Sequence, residues 1–348
     1  MPETRLITSK DYEAWDGYVF LRSKTGPYLT TAWKDAVEKA YGHKTFYLAR
    51  YENKDVVGVL PLVEVKPPMK KGVLVSLPFC DYGGVVTTSQ NGAEELLHGA
   101  LSLAREMKLY IEVRSSEACL PIEERSGAAQ VTDKCRMVLE LPGSSADLWS
   151  GFKSKLRSQV RKAGKEGLVP SLGGMELLDD FYRVFSRNMR DLGSPVHSEK
   201  WLKHIVSAFG DRALIGVVYK NVFPIGAGLM LMHNKMVTVP WASTLKEFNR
   251  LSPNMMLYWT FLEYAADREY DFFDFGRSTP GEGTYAFKKQ WGARPEPLYW
   301  YRFNEASEKG VSGALNMNWR KTMEKVWQRF PLSVANSVGP YLRKYIDK

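Results

Sequence analysis

A strand–turn–strand unit occurs twice in this chain, 168 residues apart, and no other pattern limits its architecture as much. The first copy holds Tyr51, Asn53 and Gly58, and the second holds Tyr219, Asn221 and Gly226 in the same order. In each copy a strand-like run, a short polar turn and a small-residue strand follow one another, as in a β-hairpin. The period is far too long for a solenoid. The pattern therefore predicts a duplicated α/β unit, and a chance likeness between two hairpins is the alternative.

Helices and strands alternate along the rest of the chain. Apolar residues at helical spacing predict helices, and β-branched runs bounded by turn residues predict strands. The predicted helices are 31–41, 93–108, 176–192, 198–209, 253–268 and one that starts at a Ser144–Ser145 N-cap and continues through Leu148, Phe152, Leu156 and Val160. The predicted strands are 46–51, 109–114, 213–219, 224–232, 236–240, 271–276 and 298–303. This order predicts an α/β fold class with mixed central sheets flanked by helices.

The chain divides into three predicted pieces. Its 348 residues allow two domains, which we place at 1–142 and 143–303. The remainder, 304–348, has the pattern of a basic amphipathic helical tail, with an apolar stripe formed by Trp319, Met323, Val326 and Phe330. Two interpretations of the tail remain open. Either it packs on its own domain, or it lies on an anionic membrane surface.

The composition is that of an ordinary globular protein, with 44% hydrophobic and 25% charged residues. The first residues mix charges and contain no apolar segment, so we expect no secretory signal. No run approaches the roughly 18 apolar residues of a membrane span. The cysteines, Cys80, Cys119 and Cys135, form no CxxC pair, which predicts reduced thiols and no metal site. The expected location is the cytoplasm, with the inner face of the membrane as a peripheral alternative.

The net charge of +9 is concentrated in two segments. Residues 150–170 hold six basic residues against Glu166, and residues 309–348 hold eight against two acidic residues. Arg157 and Arg161 lie one turn apart on a predicted helix and project to the same side. They are candidates for holding a phosphate, and a solvated helix face is the alternative.

The segment 271–293, DFFDFGRSTPGEGTYAFKKQWGA, is the richest in candidate site residues. A strand leads into Gly276, Arg277 and Ser278, and a glycine-rich loop then leads to Tyr285, Lys288 and Lys289. Glycines allow close approach of the backbone to a ligand, arginine binds phosphate or carboxylate in bidentate fashion, and a lysine can stabilise an oxyanion. A surface hairpin whose glycines serve turn geometry alone is the alternative.

Two other strand ends are candidates for lining a cleft. Trp241 lies where a predicted strand gives way to a loop, and Asp81 and Tyr82 lie in a comparable Pro-Phe-Cys-Asp-Tyr-Gly-Gly loop of the first half. Core packing is the alternative for the aromatic residues. Neither a Ser-His-Asp nor a Cys-His set is evident, so we expect no covalent enzyme intermediate.

The Arg-Ser, Gly, Tyr-x-Phe-Lys-Lys-x-Trp-Gly pattern at 277–292 resembles the terminal motif of the Fem-type (FemAB-like) aminoacyltransferase family. The basic helix 152–168 resembles the start of that family's second half. The similarity covers roughly residues 30–303, and is greatest to the Fem-like proteins found beside exosortase and exopolysaccharide systems. It implies two tandem GNAT-like domains with a substrate cleft.

The resemblance also implies transfer of an acyl or aminoacyl group to an amine. Family members use aminoacyl-tRNA as donor and a peptidoglycan precursor as acceptor, which here implies a nucleotide- or lipid-linked envelope precursor, with tRNA as a possible partner. The family's motif lysine falls on Lys288, the expected oxyanion donor, and its arginine on Arg277. The chain departs from the family at Ile111-Glu112-Val113-Arg114, where other members often have Asp-Pro. Glu112 is the candidate base there, and a surface carboxylate paired with Arg114 is the alternative.

Two other functions remain open. One is an acyl-CoA-dependent N-acyltransferase acting on an amino sugar, although the usual CoA-binding signature of GNAT proteins is absent. The other is a non-catalytic scaffold associated with the membrane. In either enzymatic case the donor is a co-substrate, aminoacyl-tRNA or acyl-CoA, and no permanently bound cofactor is expected.

Overall fold

The computed structural model describes residues 2–22, 25–119, 128–303 and 317–346. The first half contains β1 (Glu3–Leu6), α1 (Tyr12–Phe20), α2 (Thr31–Tyr41), β2 (Leu48–Glu52), β3 (Asp55–Leu60), β4 (Val63–Val65), β5 (Val73–Val75), β6 (Val86–Thr87), α3 (Gln90–Glu106), β7 (Tyr110–Ser115) and β8 (Ala128–Gln130). These elements form a four-stranded sheet, β1-β2-β3-β6, and four strands of a five-stranded sheet, β4, β5, β7 and β8.

The second half begins with β9 (Cys135–Glu140), α4 (Ser145–Gly151), α5 (Ser154–Lys165), β10 (Leu168–Gly173), α6 (Leu178–Asp191) and α7 (Glu199–Phe209). It continues with β11 (Ala213–Lys220), β12 (Phe223–His233), β13 (Met236–Thr244), α8 (Pro253–Ala266), β14 (Phe272–Ser278), α9 (Gly283–Gln290), β15 (Arg294–Pro297) and β16 (Tyr299–Phe303). A seven-stranded sheet, β10-β11-β12-β13-β14-β9-β15, is its centre. The tail contains α10 (Met317–Gln328) and α11 (Leu332–Arg343).

The duplicated unit extends well beyond the hairpin. α2 and α7 start and end at positions that are 168 residues apart, and each is followed by a glycine with positive φ, Gly42 or Gly210. The two hairpins also share a β-bulge, between Arg50 and Tyr51 in the first and between Val218 and Tyr219 in the second. A bulge is a specific local feature that is seldom repeated by chance. Its presence in both copies supports a true duplication.

The halves exchange one strand each, which sequence reasoning did not predict. β9 pairs with β14 and β15 in the sheet of the second half, although the predicted boundary at 142 assigns it to the first. β16 pairs with β7 and β8 in the sheet of the first half, although it was expected to close the second. The predicted boundary divides the chain by sequence position. In the structure, β9 and β16 each form backbone hydrogen bonds with strands on the other side of that boundary.

One predicted helix is two helices. α4 ends at Gly151, and Phe152 adopts an extended conformation before α5 begins. The Phe152 side chain is buried against Trp259 and Trp291. Burial of this ring on the core of the second half changes the direction of the chain. The prediction of one continuous helix is therefore wrong at Phe152.

The tail packs on its own chain, as one of the two interpretations predicted. Trp327, Ala335 and Gly339 are buried, Arg190 donates to the Phe330 carbonyl, and Arg343 Nε donates to His197 Nε2 at 3.0 Å. The predicted apolar stripe is not the buried face, because Met323 and Val326 are exposed. The side chain of Trp319 and residues 304–316 lie outside the described residues.

Candidate functional site

Two parallel strands separate at the centre of the larger sheet. β13 and β14 pair from Met236–Phe272 to Thr238–Asp274 and no further, although both strands continue. β14 carries a bulge after Asp274, where Gly276 has a φ of +76° and its amide donates to Asp274 Oδ1 at 2.7 Å. A left-handed residue at this point suits glycine. The bulge changes the direction in which the next side chain, Arg277, projects.

Arg277 meets the predicted strand-end loop of the first half. Its amide donates to Asp81 Oδ2 at 2.9 Å, and its Nε lies 3.5 Å from Asp81 Oδ1. The Arg277 guanidinium is 5.2 Å from the centre of the Trp300 ring, and Trp300 Nε1 donates to the Asp81 carbonyl at 2.9 Å. The structure thus brings together two predicted site residues from different halves, with the exchanged strand β16 supporting both.

Lys288 projects from α9 onto the same bulge. Its Nζ donates to the carbonyls of Gly276 and Arg277, at 2.9 and 2.8 Å, and the residue is 7% exposed. An ammonium has three N–H donors, so one remains after these two bonds. We call Asp81, Asp274, Gly276, Arg277 and Lys288 the Arg277 site.

Burial dominates the electrostatics of the Arg277 site. Burial lowers the pKa of Lys288 to about 8, although the negative charges of Asp81 and Asp274 oppose this shift. Burial also raises the pKa of Asp274 to about 6. Asp274 Oδ2 has no hydrogen-bond partner among the described residues. Perturbed titratable groups of this kind concentrate at functional sites.

The first half contains the counterpart of this site, and the two differ. Glu112 on β7 pairs with Val75 of a parallel neighbour, as Asp274 on β14 pairs with Thr238. After the acid the first half reads Val-Arg-Ser, whereas the second reads Phe-Gly-Arg-Ser, with Gly276 as the extra residue. Arg114 therefore stays on the same face of its strand as Glu112, while the bulge sends Arg277 elsewhere. With the inserted glycine, Arg277 is partly exposed beside Asp81, whereas Arg114 is fully buried against Glu112.

Both carboxylate oxygens of Glu112 accept hydrogen bonds from arginines. Arg114 donates to Oε1 from Nε and Nη2 at 2.9 and 2.7 Å, and Arg302 of β16 donates to Oε2. The pairing with Arg114 is confirmed, but its expected place on the surface is wrong, because both Glu112 and Arg114 are fully buried. A role as base would require this buried ion pair to break, so Glu112 stays only a prediction.

The remaining candidates occupy three different environments. Ser278 and Tyr82 are buried beside the Arg277 site, and Ser278 Oγ has no partner in the described part of the chain. Trp241 packs against Trp33 and His197 in the core shared by both halves. Each of these roles in binding substrate stays a prediction.

The other four candidates lie on α5 and α9. Lys289 is exposed on α9, with its Nζ 6.0 Å from the centre of the partly buried Tyr285 ring. Arg157 and Arg161 both face α4, where Arg157 donates to the Ser150 carbonyl and Arg161 lies over Trp149. Their common direction agrees with the sequence analysis. Whether they bind substrate stays a prediction.

Sequence reasoning missed Asp274 and Trp300. Both were visible only as residues of predicted strands, and aromatic or acidic residues in strands are usually structural. The comparison of Ile-Glu-Val-Arg-Ser at 111–115 with Phe-Asp-Phe-Gly-Arg-Ser at 273–278 was the available signal. This comparison aligns Glu112 with Asp274 and shows that Gly276 is the additional residue.

Comparison with known proteins supports this description. Residues 150–289 match the family model described as an acetyltransferase (GNAT) domain. No curated protein matches the sequence. Among solved structures, FemX is similar over 92% of this chain and 100% of its own, at 16% identity and a TM-score of 0.69.

Two further structures share the fold. The tandem GNAT protein from the clavulanic acid biosynthesis pathway is similar over 89% of this chain and 100% of its own, at 12% identity and a TM-score of 0.55. The C-terminal domain of a putative lysylphosphatidylglycerol synthetase from Agrobacterium fabrum is similar over 86% of this chain and 93% of its own, at 12% identity and a TM-score of 0.58. These likenesses confirm the predicted fold of two tandem GNAT-like units. The domain match at 150–289 and the GNAT-like fold of both halves support a transferase of the acyltransferase class.

Proposed function

We propose that this protein transfers an acyl or aminoacyl group to an amine of a cell-envelope precursor, with the Arg277 site as its reaction centre. The observation that carries the proposal is the Lys288 ammonium, held by the carbonyls of Gly276 and Arg277 at the meeting point of the two halves. Two fixed bonds orient the third N–H without further rearrangement. A preorganised donor of this kind is what an oxyanion requires.

The reaction needs no covalent intermediate on the protein. The acceptor nitrogen attacks the carbonyl carbon of the donor, and the C–N bond forms. The Lys288 ammonium donates a hydrogen bond to the resulting oxyanion. The C–O bond of an ester donor or the C–S bond of a thioester donor then breaks, and the amine proton leaves with that oxygen or sulfur. We assign to Arg277, which is partly exposed beside Asp81, the binding of a phosphate or carboxylate of either substrate.

Two donor classes, acyl-CoA and aminoacyl-tRNA, fit the comparisons with known proteins. A GNAT domain favours acyl-CoA, and the likeness to FemX favours an aminoacyl donor. A nucleotide- or lipid-linked precursor of peptidoglycan or exopolysaccharide is the proposed acceptor, in line with the resemblance to Fem-like proteins beside exosortase systems.

The test measures transfer from acetyl-CoA and from aminoacyl-tRNA to UDP-linked and lipid-linked amine acceptors. Lys288→Met should lower kcat by about 10²–10³ on the active pair, the usual effect of losing one oxyanion donor. Lys235→Met is the control, because Lys235 also donates to a backbone carbonyl, that of Glu269, but on the surface. Unchanged turnover in Lys288→Met would refute the proposed role of the Arg277 site.

The outward face of the tail supports a peripheral location at an anionic membrane. Val334, Val338, Tyr341 and Leu342 form an apolar stripe along α11 that is 41–71% exposed, while the opposite face packs on α6. Residues 317–346 contain six basic residues and one acidic residue. Exposed apolar side chains on a basic helix are typical of interfacial binding. No helix among the described residues is long and apolar enough to span a bilayer.

Vesicle flotation tests the location independently of turnover. The protein should float with vesicles that contain phosphatidylglycerol and stay behind with pure phosphatidylcholine. Val334→Asp combined with Val338→Asp should abolish flotation, whereas Val222→Asp with Phe223→Asp, which changes two exposed apolar residues of the β11–β12 hairpin, should not. Equal flotation of both double variants would contradict the proposed surface.

A further inference from the structure

The acceptor of the proposed reaction has to lose a proton before it attacks. A primary amine is mostly an ammonium ion at neutral pH, and an ammonium nitrogen has no free electron pair for a carbonyl carbon. One further proton leaves with the oxygen or sulfur of the donor, but the first needs a base. Arg277 and the Lys288 ammonium are already protonated, which leaves the two carboxylates of the Arg277 site, Asp81 and Asp274.

Asp274 has one carboxylate oxygen without a partner. Its Oδ1 accepts a hydrogen bond from the Gly276 amide at 2.7 Å, whereas its Oδ2 is buried and has no hydrogen-bond partner in the described part of the chain. Asp81 differs, because its Oδ2 accepts from the Arg277 amide and its Oδ1 faces the Arg277 guanidinium. Of these two acids, Asp274 is therefore the one with an oxygen that can accept a proton.

The arginine that acts on the charge of Asp274 is bound elsewhere. Arg136 of β9 is 1% exposed, and its Nε and Nη2 both donate to Glu296 Oε2, at 2.8 and 2.6 Å. The equivalent acid of the first half, Glu112, is bound by Arg114 and Arg302. A buried carboxylate without a paired cation is costly, and unpartnered buried polar groups need an explanation. A substrate ammonium in the place that the arginines occupy at Glu112 supplies one.

Asp274 also lies at the correct separation from the oxyanion donor. It is the last residue of β14 that pairs with β13, at Thr238, so the two strands separate immediately after it. The Gly276 amide donates to Asp274 and the Gly276 carbonyl accepts from Lys288, through bonds of 2.7 and 2.9 Å. These bonds and the backbone of one residue hold the carboxylate oxygen and the ammonium nitrogen within about 9 Å. The nitrogen and the oxyanion of a tetrahedral intermediate share one carbon, so a base and an oxyanion donor need a similar separation, up to about 8 Å.

We propose that Asp274 is the general base of the transfer reaction, and that its Oδ2 accepts a proton from an acceptor ammonium that enters where β13 and β14 separate. This inference rests on the proposed function. The N–H bond breaks, and the nitrogen keeps the electron pair with which it forms the C–N bond. Lys288 stabilises the oxyanion, and Asp274 releases its proton to water after the product has left. The positive charge of the acceptor matches the buried carboxylate.

The charges around Asp274 suit this role at neutral pH. Burial raises the pKa of Asp274 to about 6, the positive charge of Arg136 opposes this shift and the negative charge of Asp81 adds to it. A base with this pKa is ionised at pH 7 and still accepts a proton readily. The titratable and charged groups that face Asp274 come from β9, the turn at 27–29, the loop between β5 and β6, and α9: Arg136, Tyr28, Asp81, Tyr82 and Lys288.

The dependence of kcat/KM on pH tests the proposal on the active donor–acceptor pair. Activity of the unmodified protein should fall about tenfold per pH unit below pH 6, as Asp274 becomes protonated. Asp274→Asn should lower kcat by about 10²–10⁴ at pH 7 and should lack this acidic limb. Asp271→Asn is the matched control, because it removes the same charge from an exposed position just before β14. It should change kcat less than twofold and keep the limb.

Hydroxylamine as acceptor distinguishes a base from a residue that only maintains the fold. It is mostly unprotonated at neutral pH and attacks without a base, so hydroxamate formation in Asp274→Asn should stay within about threefold of the unmodified protein. Lys288→Met should lose about 10²–10³ with either acceptor. Equal losses of Asp274→Asn on both acceptors, or unchanged transfer to the amine, would overturn the inference.

The same variants separate this inference from the proposed function. An inactive Lys288→Met beside a fully active Asp274→Asn would leave the reaction centre in place and remove the base from Asp274. Absence of turnover by the unmodified protein with every donor and acceptor would refute the proposed function, and the role of Asp274 with it.

Discussion

Trp33 of α2 and Trp201 of α7 meet edge to face where the two halves join, with ring centroids 5.2 Å apart and ring planes at 89°. The two residues are 168 positions apart, so they occupy equivalent places in the duplicated unit. The helices that carry them, α2 and α7, also pack against each other. Equivalent helices of the two copies therefore form this interface, and the core there contains residues of both halves.

This arrangement predicts coupled losses of stability. Trp33→Ala and Trp201→Ala should each lower the free energy of unfolding by about 3–5 kcal/mol, because each empties a fully buried site. The double variant should lose less than the sum by about 0.5–1.5 kcal/mol, the usual range for an aromatic pair. Urea unfolding measures these differences. Trp33→Ala with Trp259→Ala, a residue packed on the other core, should be additive, and equal coupling in both pairs would contradict a specific contact between Trp33 and Trp201.

Lys288 should affect activity and stability in opposite directions as the pH rises. Its pKa is lowered to about 8 in the folded protein from an ordinary value of 10.5. Above about pH 8 the oxyanion donor is lost, and kcat should fall. Between about pH 8 and 10.5 the unfolded chain binds this proton and the folded protein does not, so stability should rise with pH. Thermal unfolding across this range should show that rise in wild type and its absence in Lys288→Met.

Glu112 and Asp274 occupy equivalent positions and should respond differently to loss of charge. Glu112→Gln leaves two arginines facing a neutral amide in a buried site, which should cost about 3–5 kcal/mol. Asp274→Asn should be tolerated above pH 6, because burial already disfavours that carboxylate and the Gly276 amide can donate to the asparagine oxygen.

The raised pKa of Asp274 also predicts how the stability of the protein depends on pH. The pKa of Asp274 is raised to about 6 from 3.8, so between these values the folded protein binds more protons than the unfolded chain, and stability should fall as the pH rises. Asp274→Asn should remove this fall. Chemical unfolding at several pH values measures it, and a similar loss of stability in Asp274→Asn and Glu112→Gln would refute the difference between the halves.

Gly276→Ala should damage the reaction centre more than its backbone strain alone explains. An added Cβ would lie 3.3 Å from the Val239 carbonyl, a tight contact with backbone, and 3.5 Å from Asp81 Oδ2, an ordinary contact. Relief of the tight contact would shift the bulge that positions Arg277 and the carbonyls bound by Lys288. Gly281→Ala is the matched control, because Gly281 also has positive φ but has open space around it. Both variants should lose about 1–2 kcal/mol through the left-handed conformation. Only Gly276→Ala should lose turnover, and equal kcat in the two variants would count against the proposed geometry.

Local patterns determined much of this structure. Helix α2 has the bounds that its helical pattern predicts, and the hairpin turns at Asn53 and Asn221 are where polar turn residues indicate. The motif with Arg277 and Lys288 was found from residue types and resemblance. These features depend on neighbours within a few positions, where capping, turn geometry and helical periodicity act.

Only the tertiary structure decided which groups meet. The exchange of β9 and β16, the contact of Asp81 with Arg277 and the burial of Glu112 between two arginines all join residues more than a hundred positions apart or strands from different halves. Hydrophobic burial is non-directional, so a strand pattern specifies which face is buried and not which neighbour covers it. The sequence alone thus determined the elements and the duplicated unit. The packing of the two halves on each other decided that Asp81 meets Arg277 and that Arg302 covers Glu112.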